Sequence, residues 1–280
     1  MTQTVELAFN YRMEDVLKRL AFDPLNSVDI ANQTVKIPME EYIITVQSIG
    51  SFHEPKFIVT GLETKEQFER VQSIFHFNRS LEPIQKHFLN TNLHSLFLRF
   101  EGTPIITDFS LYANIIKSII HQQLNLSFAR TLTERFVHTF GKCKEVVWLY
   151  PSPETIASIN VDTLRHMQFS TRKAEYIVGI SKAIAESQLN LEALSTQEDD
   201  FIISELIKYR GIGPWTAESF LLFGLGRANL FPLADIGLQN SLKILWHLDR
   251  KPMKSEITPH LASWSPYNSY AALYLWKNIE

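Results

Sequence analysis

Ile207-Lys208-Tyr209-Arg210-Gly211-Ile212-Gly213-Pro214-Trp215-Thr216-Ala217 is a glycine turn set between two helical patterns, and Asp235 follows twenty positions after Trp215. Two glycines one residue apart supply positive φ values and the close approach to a ligand that a side chain forbids. Upstream, Ser195 followed by Glu198 reads as a capping box, and Phe201, Ile202, Leu206 and Ile207 fall near helical spacing. Downstream, Pro214 suits the first position of a second helix, whose apolar face takes in Ala217, Phe220, Leu221 and Phe223 or Gly224. The segment, about residues 196–225, is expected as helix, hairpin, helix. Amides at Gly211 and Gly213, with Thr216 in the turn behind them, lie at the positive end of the second helix. They form an anion site that reads no base sequence and suits a nucleic-acid backbone. Taken alone, Gly-x-Gly fits a ligand-free αα-hairpin equally well.

The rest of the chain bounds the answer. Its 280 residues and 45% hydrophobic content suffice for one large or two ordinary globular domains. A single cysteine, Cys143, excludes a disulfide framework and a four-cysteine zinc or iron–sulfur site built by this chain alone, and reads as an ordinary half-buried residue. The histidines show no convincing paired-ligand spacing, so no catalytic metal is expected. No leader pattern opens the sequence and no apolar run approaches a membrane span, which predicts a cytoplasmic protein without membrane contact. The net charge of −3 argues against indiscriminate, charge-driven DNA binding. A local basic face from residues such as Arg130, Arg135, Arg172, Lys173, Lys208 and Arg210 can still serve.

The first hundred residues have a strand grammar: Thr4–Phe9, Ser27–Ile30, Thr34–Ile37, Tyr42–Ser48 and Lys56–Thr60 alternate or carry β-branched runs, with a turn at Ala31-Asn32-Gln33. Helical patterns at Met13–Ala21 and Lys65–Phe75 interrupt them. This predicts an α+β N-terminal domain over residues 1–100, an antiparallel sheet with helices, with a structural supporting role. Beyond Ser80 nearly every segment reads helical, with starts at Asp108, Ser152-Pro153, Asp162, Ser170 and Ser195, giving an all-α domain over residues 101–280.

Read together, the Gly-Pro-Trp-Thr-Ala run at 213–217 and the Phe-Pro-x-x-Asp-x-Gly-Leu run at 231–238 resemble the helix-hairpin-helix DNA glycosylase superfamily, and within it the AlkA-type 3-methyladenine DNA glycosylase II enzymes. Asp108-Phe109, the helix ending in His121-Gln122-Gln123-Leu124, the Phe169–Tyr176 segment and the C-terminal Trp264–Trp276 segment extend the likeness from about Thr107 onward. Arg210 stands where the family usually has proline, Asn125 where serine is common, and Ser219 where some relatives carry an aromatic.

The resemblance implies a hydrolase of N-glycosyl bonds acting in base excision repair. It flips damaged bases out of double-stranded DNA and excises alkylated purines such as 3-methyladenine and 7-methylguanine. It assigns Asp235 to stabilise the oxocarbenium sugar, Trp215 and Trp276 to stack on a cationic base, and Leu124 to wedge the gap. Carbonyls of Ile207, Tyr209 and Ile212 would hold a structural Na or K ion at the hairpin, with no cofactor for catalysis. Tryptophan at 215 replaces the lysine with which strand-cutting relatives form a Schiff base, so a monofunctional enzyme is implied, and an oxidised-guanine lyase is disfavoured. Rival readings are a catalytically inert helix-hairpin-helix protein that binds DNA damage, or Asp235 as only a helix cap. A monomer is the default.

Overall fold

The computed structural model describes residues 1–39 and 42–279. Strands β1 (Thr2–Glu6), β2 (Ser27–Asp29), β3 (Thr34–Met39), β4 (Tyr42–Ser48) and β5 (Lys56–Thr60) form an antiparallel sheet of order β1-β5-β4-β3-β2. The register aligns Val5 with Phe57, Val59 with Val46, and Val46 with Val35, so one face of the pleat is apolar throughout and buried. Helix α1 (Met13–Ala21) lays Val16, Leu17 and Leu20 on the core, and α2 (Lys65–Ile74) begins at a Thr64/Gln67 capping box. Two short helices, α3 (Glu82–Phe88) and α4 (His94–Arg99), follow.

The remainder is mostly helical: α5 (Leu111–His121), α6 (Leu126–Phe140), a small hairpin of β6 (Lys142–Lys144) and β7 (Val147–Leu149), then α7 (Pro153–Ala157), α8 (Val161–His166), α9 (Thr171–Ala185), α10 (Leu191–Ser195) and α11 (Asp199–Leu206). After the glycine turn come α12 (Pro214–Ser219), a π-turn over Phe220–Gly224, α13 (Ile236–Leu245), α14 (Lys254–Trp264) and α15 (Asn268–Lys277). An α+β unit followed by a helical body is the architecture expected. Among the described residues no helix is long and apolar enough to cross a membrane.

Several local expectations are corrected. Strand β1 starts at Thr2 and stops at Glu6, because its ladder partner β5 begins at Lys56, opposite Glu6. Ser195 does not open α11: it closes α10 with its hydroxyl donating to the Glu192 carbonyl, and Glu198 precedes α11 without a side-chain cap. Ser110, not Asp108, caps α5, accepting from the Ala113 amide at 3.3 Å, while Asp108 takes Asn114 and Lys117 side chains. Asn160 caps α8, leaving Asp162 in its first turn. The β6–β7 hairpin interrupts the helical body, and Cys143, on its outer strand, is exposed rather than half-buried. Ser152 and Ser170 cap α7 and α9 as read.

The packing divides the side chains into two cores. One joins the sheet and α1–α4 to Leu238 and Leu242 of α13, Ile257 and Trp264 of α14, and the buried run Tyr270–Leu275 of α15. The other is built from the helices between Leu111 and Leu221, with Leu25 inserted from the loop after α1. The C-terminal helix is therefore part of the same core as the N-terminal sheet, and a cleft opens where α1 and α15 of that core meet α12.

Candidate active site

The glycine turn is built as a brace. Gly211 has φ +93°, and a Cβ there would fall 2.3 Å from the Tyr176 ring, so both conformation and space require glycine. The Ile212 amide donates to the Tyr209 carbonyl at 3.1 Å, and Gln122 Nε2 donates to the Gly211 carbonyl (2.7 Å) and to Thr216 Oγ1 (2.9 Å). The α5 terminus is tied in turn by Lys173, whose Nζ donates to the carbonyls of Ile120 and Gln122, and burial pushes this lysine down to about 8. Arg210 lies 3.6 Å from Glu175 and beside Tyr176, so the turn tolerates arginine where proline is usual. Asn125 caps α6, accepting from Phe128, the work a serine would do there.

Gly213 departs from expectation. Its φ is −99°, and a Cβ would meet nothing within 4 Å, so no constraint inside the protein requires glycine. The Thr216 side chain is also turned inward, 2% exposed under Gln122, which leaves only its backbone amide for a ligand. Carbonyls of Ile207 and Ile212 receive no backbone hydrogen bond among the described residues, and that of Tyr209 receives one. Neutral oxygens with spare lone pairs suit a hard alkali ion. No group of three or more His, Cys, Asp or Glu among the described residues could hold a metal.

Behind the turn lies a cleft of about 520 Å³ whose walls include Trp215, Ser219, Phe223, Asp235 and Trp276. Asp235 caps α13, its Oδ1 accepting from the Leu238 amide at 2.8 Å, and the same oxygen accepts from Trp276 Nε1 at 2.9 Å. Cap and cleft position thus coincide in one carboxylate, and among the described residues no donor reaches Oδ2. Gly237 permits the approach: a Cβ there would lie 3.0 Å from Asp235 Oδ1 and 3.3 Å from Trp276. Trp215 is 43% exposed at the mouth, whereas Trp276 is half-buried and stands 5.7 Å from Phe223, centroid to centroid. Ser219 donates or accepts with Ser118 at 3.2 Å and leaves open the space an aromatic side chain would fill.

Other sequence-selected residues fall elsewhere. Leu124 does not line the cleft; it packs half-buried on the second core, while its neighbour Gln123 is exposed at φ +55°. Phe220, Tyr270 and Tyr274 are buried packing residues.

Two features of the cleft escaped sequence reasoning. The π-turn, closed by the Leu225 amide on the Phe220 carbonyl, carries Phe223 to the cleft wall beside Leu222 while Phe220 and Leu221 stay inside. Its signal was the ambiguity over whether Phe223 or Gly224 continues the apolar stripe. The opposite wall comes from the N-terminal unit: Asp15, Val16, Lys18, Arg19 and Phe22 of α1 and its end, with Thr103-Pro104. That unit therefore contributes side chains to the cleft wall as well as packing. Lys277 of α15 pairs with Asp15 at 3.0 Å and ties α15 to α1 in the cleft wall.

Comparison with known proteins agrees with this architecture. Residues 116–266 match the family described as "HhH-GPD superfamily base excision DNA repair protein". A Bacillus subtilis protein, YfjP, provisionally named a DNA-3-methyladenine glycosylase, is 49% identical over 276 residues, 96% of each chain. The 3-methyladenine DNA glycosylase of Archaeoglobus fulgidus superposes with a TM-score of 0.82 over 98% of this chain and 97% of that one, at 23% identity. Schizosaccharomyces pombe Mag1, solved with abasic DNA, matches at TM-score 0.60 and 26% identity over 70% of this chain and 95% of its own. With the family model spanning more than half its length and a relative of nearly half identity along almost all of it, the chain belongs to the HhH-GPD superfamily of base excision DNA repair proteins.

Proposed function

We propose that the protein is a monofunctional DNA glycosylase that releases alkylated purines from double-stranded DNA. The observation that carries this reading is the Asp235 carboxylate: held by two donors on Oδ1, in the wall of a cleft that Trp215 and Trp276 also line. Breaking the C1′–N bond builds positive charge on the sugar, and a carboxylate fixed beforehand stabilises that charge with no reorganisation. It can also orient the water that completes hydrolysis.

The flipped base occupies the cleft, whose volume falls within the range of small-ligand sites. Trp215 and Trp276 offer ring faces to a purine, and alkylation at N3 or N7 weakens the glycosidic bond in advance. The turn amides of Gly211 and Gly213, and the backbone of Thr216, grip a phosphate, with open space at Gly213 allowing the DNA close approach. A wedge at the α5–α6 junction fills the vacated stack, drawn from Leu124 and the exposed Gln123 beside it. An alkali ion on the Ile207, Tyr209 and Ile212 carbonyls would supply positive charge beside that phosphate. No lysine stands at position 215, so water rather than an amine attacks.

The test is purine release from methylated duplex DNA by the purified protein, with strand integrity read before and after alkali. Free 3-methyladenine or 7-methylguanine, with breaks only after alkali, is the expected result. Tight binding to the same DNA with no release would establish an inert damage-binding protein, and breaks before alkali would contradict the monofunctional reading.

A further inference from the structure

Along the wall of the cleft that begins at the glycine turn, Trp215, Ser219 and Phe223 follow one another at intervals of four residues, and all three line the cavity. Four residues make about one helical turn, so the order along this wall is ring, hydroxyl, ring. The π-turn does not break the row, because it still carries Phe223 to the wall. A serine side chain is far shorter than either neighbour, which leaves a recess between Trp215 and Phe223. At its base Ser219 Oγ stands 3.2 Å from Ser118 Oγ, and Ser118 is buried behind the wall. Among the described residues neither hydroxyl has another hydrogen-bond partner. Two hydroxyls that share one hydrogen bond keep one O–H and several lone pairs unspent. Ser219, half-buried on the cleft, is the one that can present them to a ligand.

A flipped purine is flat and suits the ring faces of the cleft, while its N-alkyl substituent is the part that differs from one alkylated base to the next. A methyl group adds little to the outline of the base. A longer chain needs room beside it, and an unbroken wall of rings would reject that chain by overlap. We propose that the recess at Ser219 receives the substituent of the flipped purine, so that the protein accepts purines whose N-alkyl group is longer than methyl, above all those ending in a hydroxyl. A terminal hydroxyl exchanges hydrogen bonds with Ser219 Oγ, whereas a plain alkyl chain of similar length shuts the serine away from water without a new partner. This rests on the reading of the cleft as a base-excision site for alkylated purines. It makes Ser219 the residue that selects for size and polarity of the substituent, whereas Asp235 serves the bond cleavage common to all substrates.

The experiment compares wild type, Ser219→Phe and Ser219→Ala in single-turnover release from three otherwise identical duplexes, carrying 7-methylguanine, 7-ethylguanine or 7-(2-hydroxyethyl)guanine. Phenylalanine fills the recess from the cleft side, and alanine keeps the room but removes the hydroxyl. In the alanine variant Ser118 can turn its hydroxyl to a carbonyl of its own helix, so the fold is kept. Wild type should release the hydroxyethyl base at least as fast as the ethyl one. Ser219→Phe should lower the hydroxyethyl-to-methyl rate ratio about tenfold. Ser219→Ala should lower the hydroxyethyl-to-ethyl ratio about threefold while the ethyl-to-methyl ratio holds. An unchanged hydroxyethyl-to-methyl ratio in a folded Ser219→Phe protein overturns the inference alone, as does an unchanged hydroxyethyl-to-ethyl ratio in Ser219→Ala. A wild type that releases none of the three bases overturns this inference together with the glycosylase reading.

Discussion

The two walls of the cleft are encoded in opposite ways. One wall, from the glycine turn through α12 to Asp235, is written in two short runs whose residues meet their partners within a few turns of chain: Asp235 caps its own helix, and Pro214 opens its own. The other wall is α1, about two hundred residues away in sequence, brought there because Val16, Leu17 and Leu20 share a core with α15. The difference teaches that a motif can place a carboxylate, while the shape and charge of the space around it depend on long-range packing. Trp276 is where the two kinds of encoding meet, since α15 is buried with the sheet yet ends on Asp235.

The comparison breaks most sharply at Gly211. Replacing it with alanine forces a side chain into left-handed backbone and against Tyr176, so Gly211→Ala should lose about 3–4 kcal/mol in urea unfolding. Any loss well under 1 kcal/mol would mean the turn is not braced as described. A smaller effect is expected where the walls join. Trp276→Phe keeps a ring but removes the donor to Oδ1, and base release should slow about tenfold with abasic-DNA affinity unchanged. An undiminished rate would show that the backbone cap at Leu238 alone holds the carboxylate.

The smallest effect per residue is on pH dependence, and it is read at one buried histidine in each half of the molecule. Burial drives His76, beside Tyr270 in the first core, down to about 3, and drives His121, beneath α6, down to about 4. Both stay neutral in the folded chain while the unfolded chain takes up protons below the ordinary value of 6.5. Stability from these residues is therefore complete above about pH 6.5 and falls as the pH drops toward 4, by about 1 kcal/mol each between pH 6.5 and 5.5. A flat stability profile over that unit would place both rings in contact with solvent.

How much was legible follows from the same contrast. Strands β4 and β5 and helix α1 were readable to the residue because alternation or helical period coincided with burial. The β6–β7 hairpin was not, since Lys142-Cys143-Lys144 has no apolar face to betray a strand. Ser195 and Glu198 had the spacing of a capping box, but α10 ends at Ser195, and local spacing cannot see a helix boundary already taken. At the site, Asp235, Trp215 and Trp276 were legible as parts of motifs and share one cleft. Arg19 and Phe223 were not, because a basic residue ending an amphipathic helix and a phenylalanine in an apolar run look like any others until the π-turn and the shared core bring them together.

The central claim is that the Asp235 carboxylate, rather than the cleft alone, breaks the glycosidic bond. The most direct measurement is single-turnover purine release from methylated duplex DNA by wild type and Asp235→Asn, with abasic-DNA affinity and unfolding followed in both. Asparagine can still accept from the Leu238 amide, so fold and affinity should hold while release falls by at least about two orders of magnitude. Near-normal release from a folded, DNA-binding Asp235→Asn protein would contradict the account and leave Asp235 as a helix cap.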